Sequence, residues 1–234
     1  MINPQSVGRF SKIKILAAAF LLVFASQSAN VAHAAVLGCG VFSSHCYSIL
    51  RSTGTTFYGM YGTWNRAAMS AVGANSSNQR MMTSEMWVVS TTNSGWAEVG
   101  LMQGYRGGAV GYYVFRGWAN SSGAYTELTL NSVTQNSGTT DEYQILITGT
   151  SGVWRIWWNG PSVDTGNTGF SSTTRIEMGG EVASPEATAG TFNMYGKGLN
   201  SSGNQVNFTN QTQSVTSGMT GLSNATGHWR WSIP

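Results

Sequence analysis

Residues 174–183 read "TRIEMGGEVA". With a period of two, Ile176, Met178, Gly180 and Val182 fall on one face, and Arg175, Glu177, Gly179, Glu181 and Ala183 on the other. Such alternation is that of a β-strand with one face on a core and the other free to carry polar groups. It also places two glutamates on one face, on either side of a residue without a side chain. Glycine at that position leaves room for a ligand's backbone to approach.

The same pattern recurs outward along the chain. "GWAEVGLMQG" (95–104) puts Trp96, Glu98, Gly100 and Met102 on one face, and Ala97, Val99, Leu101 and Gln103 on the other. Further strands are expected at 81–90, 109–118, 124–133, 142–150, 153–160, 190–199 and 228–234, separated by turn clusters such as "NSSG" at 120–123 and "TSGV" at 150–153. Short alternating runs, few prolines and no helical periodicity predict an all-β fold, a single-domain antiparallel β-sandwich of jelly-roll or concanavalin-like type. The asparagine-rich tail, which holds the sequons at Asn207 and Asn224, fits loops or edge strands. No glycine-rich phosphate loop joins a strand to a helix, so nucleotide binding is not indicated.

The first 34 residues carry a different signal. Arg9, Lys12 and Lys14 precede "ILAAAFLLVFA", and Ala32, His33 and Ala34 form an A-x-A cleavage site, the pattern of a secretory signal peptide. Three of the 12 Lys and Arg lie there, so the remainder balances the 9 Asp and Glu and the basic surplus says nothing about nucleic acid. The 200 residues that follow are enough for one well-buried domain. Cys39 and Cys46 in "GCGVFSSHC" are expected to close a small disulfide loop in an oxidising compartment. "VLGC" resembles a lipobox, but "SQSANVAHAA" separates it from the apolar core. A zinc site from both cysteines with His45 and His228 matches none of the usual spacings. The boundaries read this way are 1–34 for the signal, 35–55 for a segment holding the cysteine loop, and 56–234 for the sandwich domain.

The nine acids are Glu85, Glu98, Glu127, Asp141, Glu142, Asp164, Glu177, Glu181 and Glu186. Most read as solvated side chains in turns or polar runs. Glu98, Glu177 and Glu181 stand apart, because their strand faces also carry an aromatic residue or glycines.

Several blocks resemble, in order, those of the neprosin family: "FYGMYGTWN" (57–65), "SEMWVVS" (84–90), "WAEVGLM" (96–102), "YYVFRGW" (112–118), "EYQILI" (142–147), "GVWRIWWNG" (152–160) and "IEMGGEV" (176–182). Neprosins are secreted glutamic peptidases built as antiparallel β-sandwiches, similar in layout to the fungal eqolisins. The resemblance implies peptide-bond hydrolysis at acidic pH, with Glu98 and Glu181 as the catalytic pair on neighbouring strands. It implies Glu177, Trp96, Gly179, Tyr113 and Trp118 as substrate-contacting residues. It also implies no cofactor, no metal, no nucleic-acid partner and no stable membrane association once the signal is removed. The expected partner is a peptide or protein substrate, and the expected state is an extracellular monomer. Eqolisins carry glutamine where this chain has Glu98. Met178 stands where the family has tryptophan, the family's domain cysteines are missing, and only about twenty residues separate the cleavage site from the first block.

Two other functions compete. A carbohydrate-binding module would use Trp96, Trp118, Trp157 and Trp158 as stacking platforms, although adjacent tryptophans on a strand point to opposite sides. A β-sandwich glycosidase would use two nearby glutamates. Glu177 and Glu181, however, lie about 13 Å apart along an extended strand, against about 5 Å for retaining chemistry.

Overall fold

In a computed structural model of the chain, residues 35–40, 44–92, 94–148 and 152–234 are described. The signal read over 1–34 lies outside them. Every regular element among the described residues is a strand: β1 (Ala35–Val36), β2 (Cys46–Phe57), β3 (Gly59–Asn65), β4 (Met69–Ala71), β5 (Met81–Val89), β6 (Trp96–Arg106), β7 (Ala109–Ala119), β8 (Tyr125–Ser132), β9 (Thr140–Ile147), β10 (Val153–Trp158), β11 (Ser162–Asn167), β12 (Thr173–Ala183), β13 (Glu186–Leu199), β14 (Gln205–Val206), β15 (Thr212–Val215), β16 (Thr220–Leu222) and β17 (His228–Ile233). They form two antiparallel sheets, one ordered β15-β2-β12-β5-β6-β7-β8 and the other β11-β10-β9-β3-β13-β17-β16, with β1, β4 and β14 pairing onto β13. The fold is the predicted antiparallel β-sandwich.

The core lies between the sheets and is built by the predicted faces. Ile176, Met178 and Val182 of β12, Ala97, Val99 and Leu101 of β6, and Met82, Met86 and Val88 of β5 are buried there. Opposite them stand Met60 and Trp64 of β3, Tyr143 and Ile145 of β9, and Trp229 and Trp231 of β17. Phe192 stacks on Trp231 and Trp64 on Tyr143, with ring centroids 4.8 and 4.0 Å apart. Gly180 is glycine because a Cβ there would press on the Trp231 ring, at 2.5 Å.

All nine strands expected from alternation are present, with shifted ends. The largest shift is at β13, which begins at Glu186 where the pattern begins at 190. Alternation missed β2. Its buried face carries Ser48 and Ser52, whose hydroxyls donate to the carbonyls of Thr220 (2.6 Å) and Thr209 (2.8 Å) in the tail. Those partners are some 160 residues away, so the serines read as loop. Because β2 sits between β15 and β12, and β1 pairs with β13, the sheets include residues N-terminal to the boundary expected at 56. The tail supplies β14 to β16, short edge strands, as its composition suggests.

Asp141 is a correction. Read as solvated, it is wholly buried and accepts from Arg66 Nε and Nη2 at 2.6 and 2.7 Å, from Asn159 at 2.7 Å and from Trp158 Nε1 at 3.0 Å. Burial alone would raise its carboxyl pKa, but these donors together hold it below the usual aspartate value.

Candidate active site

The outward face of the β2–β8 sheet forms a cleft of about 750 Å³. Strand pairing arranges its floor in rows running across the strands. One row reads Tyr47, Glu181, Thr83, Met102; the next Ile49, Gly179, Glu85, Gly100; the third Arg51, Glu177, Trp87, Glu98, Gly117, Glu127. Five glutamates thus converge on one face: Glu177 and Glu181 from β12, Glu85 from β5, Glu98 from β6 and Glu127 from β8.

Each is held differently. Glu98, only 6 % exposed, has its Oε1 2.6 Å from the Tyr125 hydroxyl and accepts the Trp96 indole N–H at 3.0 Å on Oε2. Burial, reinforced by the charge of Glu181, pushes its pKa up to about 8 against the opposing pull of these two donors. Gly117 makes this possible, since a Cβ there would run into Glu98 Oε1 and lie 2.7 Å from the Tyr125 hydroxyl. The Tyr125 oxygen is also 3.1 Å from Glu127 Oε2, and Arg106 Nε donates to Glu127 Oε1 at 2.7 Å. Glu181 is bonded by His45 Nδ1 and, at 3.4 Å, by the Tyr47 hydroxyl. Glu177 is paired with two guanidinium groups, Arg51 Nε and, at 2.7 Å, Arg175 Nε.

Glu85 is the most enclosed, at 1 % exposed. Thr83 Oγ1 donates to its Oε1, and Oε2 has no hydrogen-bond partner among the described residues. Burial, then the charges of Glu98 and Glu181, raise its pKa well above the ordinary carboxylate value.

Several expectations need correction. Glu98 and Glu181 share the face but not neighbouring strands, because β5 runs between β12 and β6. They are also offset by four residues along β5, Glu181 opposite Thr83 and Glu98 opposite Trp87, which separates their backbones by about 16 Å. Glu85, read from the sequence as solvated, occupies the place between them. Gly179 is required by its neighbours: a side chain there would collide with the Ser48 carbonyl of β2. Trp118 is on the inner side of β7, paired with Ala97, under the Arg116 guanidinium at 4.0 Å and against Gly166, so it does not line the cleft. Tyr113 is on the cleft side of its strand, but its ring folds back over Gly111 and its hydroxyl donates to Ala109, away from the carboxylates. Trp96 and Glu177 do line the cleft.

The sequence reading missed Glu85, Trp87, Arg51, His45, Tyr47 and Tyr125 as site residues. Glu85 and Trp87 share parity in "SEMWVV", so alternation could have found them. The others come into the site through strand pairing and loop placement. Among the described residues no cluster of three or more His, Cys, Asp or Glu is placed to hold a metal ion. Cys39 and Cys46 form the expected disulfide, with Cα atoms 5.7 Å apart, which removes them as zinc ligands.

No protein-family model matches the chain. Comparison with curated sequences finds no match. The fold does have solved relatives. A scytalido-glutamic peptidase, crystallised with a transition-state analogue inhibitor, superposes with a TM-score of 0.60 at 13 % identity, covering 82 % of this chain and 99 % of that one. SCP-B, a member of the eqolisin family of peptidases in complex with the tripeptide Ala-Ile-His, gives 0.54 at 13 % identity with the same coverage. The likeness is one of fold, the eqolisin-type β-sandwich.

Proposed function

We propose that this chain is a glutamic endopeptidase that hydrolyses peptide bonds in the cleft of the β2–β8 sheet, with Glu98 as the acid and Glu181 as the base. The observation that carries the reading is the contrast between these carboxyls on one concave face. Glu98 is buried and holds its proton up to about pH 8. Glu181, set against His45 and Tyr47, is the largest charge acting on it. A neutral carboxyl can donate to the scissile carbonyl and stabilise the oxyanion, while an ionised one takes a proton from the attacking water. Two peptidases share the fold, and the neprosin-like blocks coincide with the strands that carry both residues. The signal-like leader and the disulfide support a secreted protein.

The register favours a second assignment of the base. Glu177 faces Glu98 in the same row with Trp87 between them, nearer across the sheet than Glu181. Its ion pairs with Arg51 and Arg175 are an argument against it, because both guanidinium groups hold its Oε1.

The platform that a carbohydrate-binding module needs is scattered. Trp96 is in the cleft, Trp118 on the inner side of the same sheet, and Trp157 and Trp158 on β10 of the other sheet.

The test is degradation of an unbiased peptide mixture from pH 2 to 9 by the wild type and by Glu98→Gln, Glu181→Gln and Glu177→Gln. The expected result is activity from acidic pH up to about 8, a loss of at least about 100-fold in Glu181→Gln and a smaller loss in Glu177→Gln. Glu98→Gln should retain a residual rate, since an amide still donates to an oxyanion. A dead Glu177→Gln with an active Glu181→Gln transfers the base to Glu177. No cleavage by the wild type at any pH removes the peptidase reading.

A further inference from the structure

We infer that Glu85 is the positioning residue of this site: a neutral acid at the cleft floor whose Oε2–H orients the attacking water between Glu98 and Glu181. The inference rests on the peptidase reading and adds a carboxyl that the proposed pair does not include.

The first observation is place. Glu85 lies on β5, between β12 and β6, and its direct neighbours across both ladders are glycines, Gly179 and Gly100. It is therefore diagonal to Glu181 and Glu177 on one side and to Glu98 on the other, the relation in which long side chains on adjacent strands reach one another. The glycines also make the slot specific, since a Cβ at Gly100 would come within 2.6 Å of the Glu85 backbone.

The second observation is the missing partner. A carboxyl buried to this extent is ordinarily paired with a cation or fully hydrogen-bonded. Arg51 and Arg175 go to Glu177, and Arg106 goes to Glu127. Glu85 lines the cleft with the Thr83 hydroxyl on its Oε1, while its buried Oε2 has no partner among the described residues. An orphaned buried oxygen costs stability, and such costs are retained where a ligand supplies the partner. A protonated Oε2 is a donor, and a water between Glu98 and Glu181 is the acceptor within its reach. Glu85 gains and loses no proton in the reaction. It fixes the water's lone pair so that a hydrogen faces the base.

Two substitutions test this in the full chain. Glu85→Gln keeps an N–H donor at the same place, and Glu85→Met keeps the length and removes the donor. The expected result is a kcat for Glu85→Gln within about fivefold of wild type. For Glu85→Met, kcat should fall at least about 30-fold, with KM changed by less than about threefold and Tm unchanged or raised, because an unsatisfied polar group has left the interior. Thr83→Val, which frees Oε1 without altering shape, should lower kcat by a smaller factor and serves if Glu85→Met does not fold. Near-wild-type kcat in Glu85→Met, or in Thr83→Val where that variant is the one measured, overturns the inference and leaves the peptidase reading intact. So does a Glu85→Gln as inactive as Glu85→Met, which would make Glu85 a proton carrier. A lowered Tm with kcat and KM unchanged makes Glu85 structural. A wild type that cleaves no peptide overturns both readings.

Discussion

At the scale of residues, the site separates five like charges by giving the glutamates different environments. Arginines pair with Glu177 and Glu127, a histidine and a tyrosine bond Glu181, and burial keeps the protons on Glu98 and Glu85. A cleft with five ionised carboxylates would repel itself, so raised pKa values are what allows the cluster to exist. Tyr125 works against this at Glu98, because its hydroxyl stabilises the charged form. Removing it in Tyr125→Phe should therefore raise the Glu98 pKa and move the alkaline limit of kcat/KM above about 8. A limit unmoved or lowered in the measured pH profile would show that Tyr125 is not acting on the titrating group.

At the scale of elements, the buried Glu85 and Glu98 reach the cleft beside strand neighbours that lack a side chain. β7 passes beside Glu98 with Gly117, and β6 and β12 pass beside Glu85 with Gly100 and Gly179. Gly117→Ala tests this. The atoms its Cβ would meet are the ends of Glu98 and Tyr125, which can swing away, so the stability cost should stay near 1 kcal/mol. The displaced Glu98–Tyr125 contact should nevertheless reduce kcat at least about tenfold. Equal activity with an unchanged melting curve would mean that the contact is dispensable. The alternation of β6 and β12 was legible in sequence because Ala97, Val99 and Leu101 in one and Ile176, Met178 and Val182 in the other recur at every second position. β2 was not, because its buried serines find their acceptors in the tail.

At the scale of the whole molecule, folding is coupled to protonation in a definite direction. The folded pKa of Glu98 is about 8, above its unfolded value of 4.5, and that of Glu85 is raised too. The folded state therefore binds more protons than the unfolded chain between these values, and stability must fall as pH rises through that window. Asp141 acts oppositely, since its lowered pKa means that its contribution is lost as pH falls below the ordinary aspartate range. Tm should be highest near pH 4 to 5 and decline toward pH 8. Glu98→Gln should flatten the decline, and thermal melts across pH check both. A wild-type Tm that rises from pH 5 to 8 would contradict the protonated cluster.

The sequence by itself determined the architecture and the inner and outer faces of its main strands, because a period of two is a local property that burial reads directly. It determined that Glu98, Glu177 and Glu181 lie on outward faces, and that Cys39 and Cys46 are close enough to join. Only the tertiary structure decided which strands lie side by side, and with them the chemistry of each carboxyl. Strand order follows from how two sheets close over one core, which no local pattern records. That order put β5 between β6 and β12, turned Glu85 from a solvated acid into the buried centre of the cleft, placed Trp118 on the inner side of its sheet, and brought arginines to Glu177 and the Tyr125 hydroxyl to Glu98.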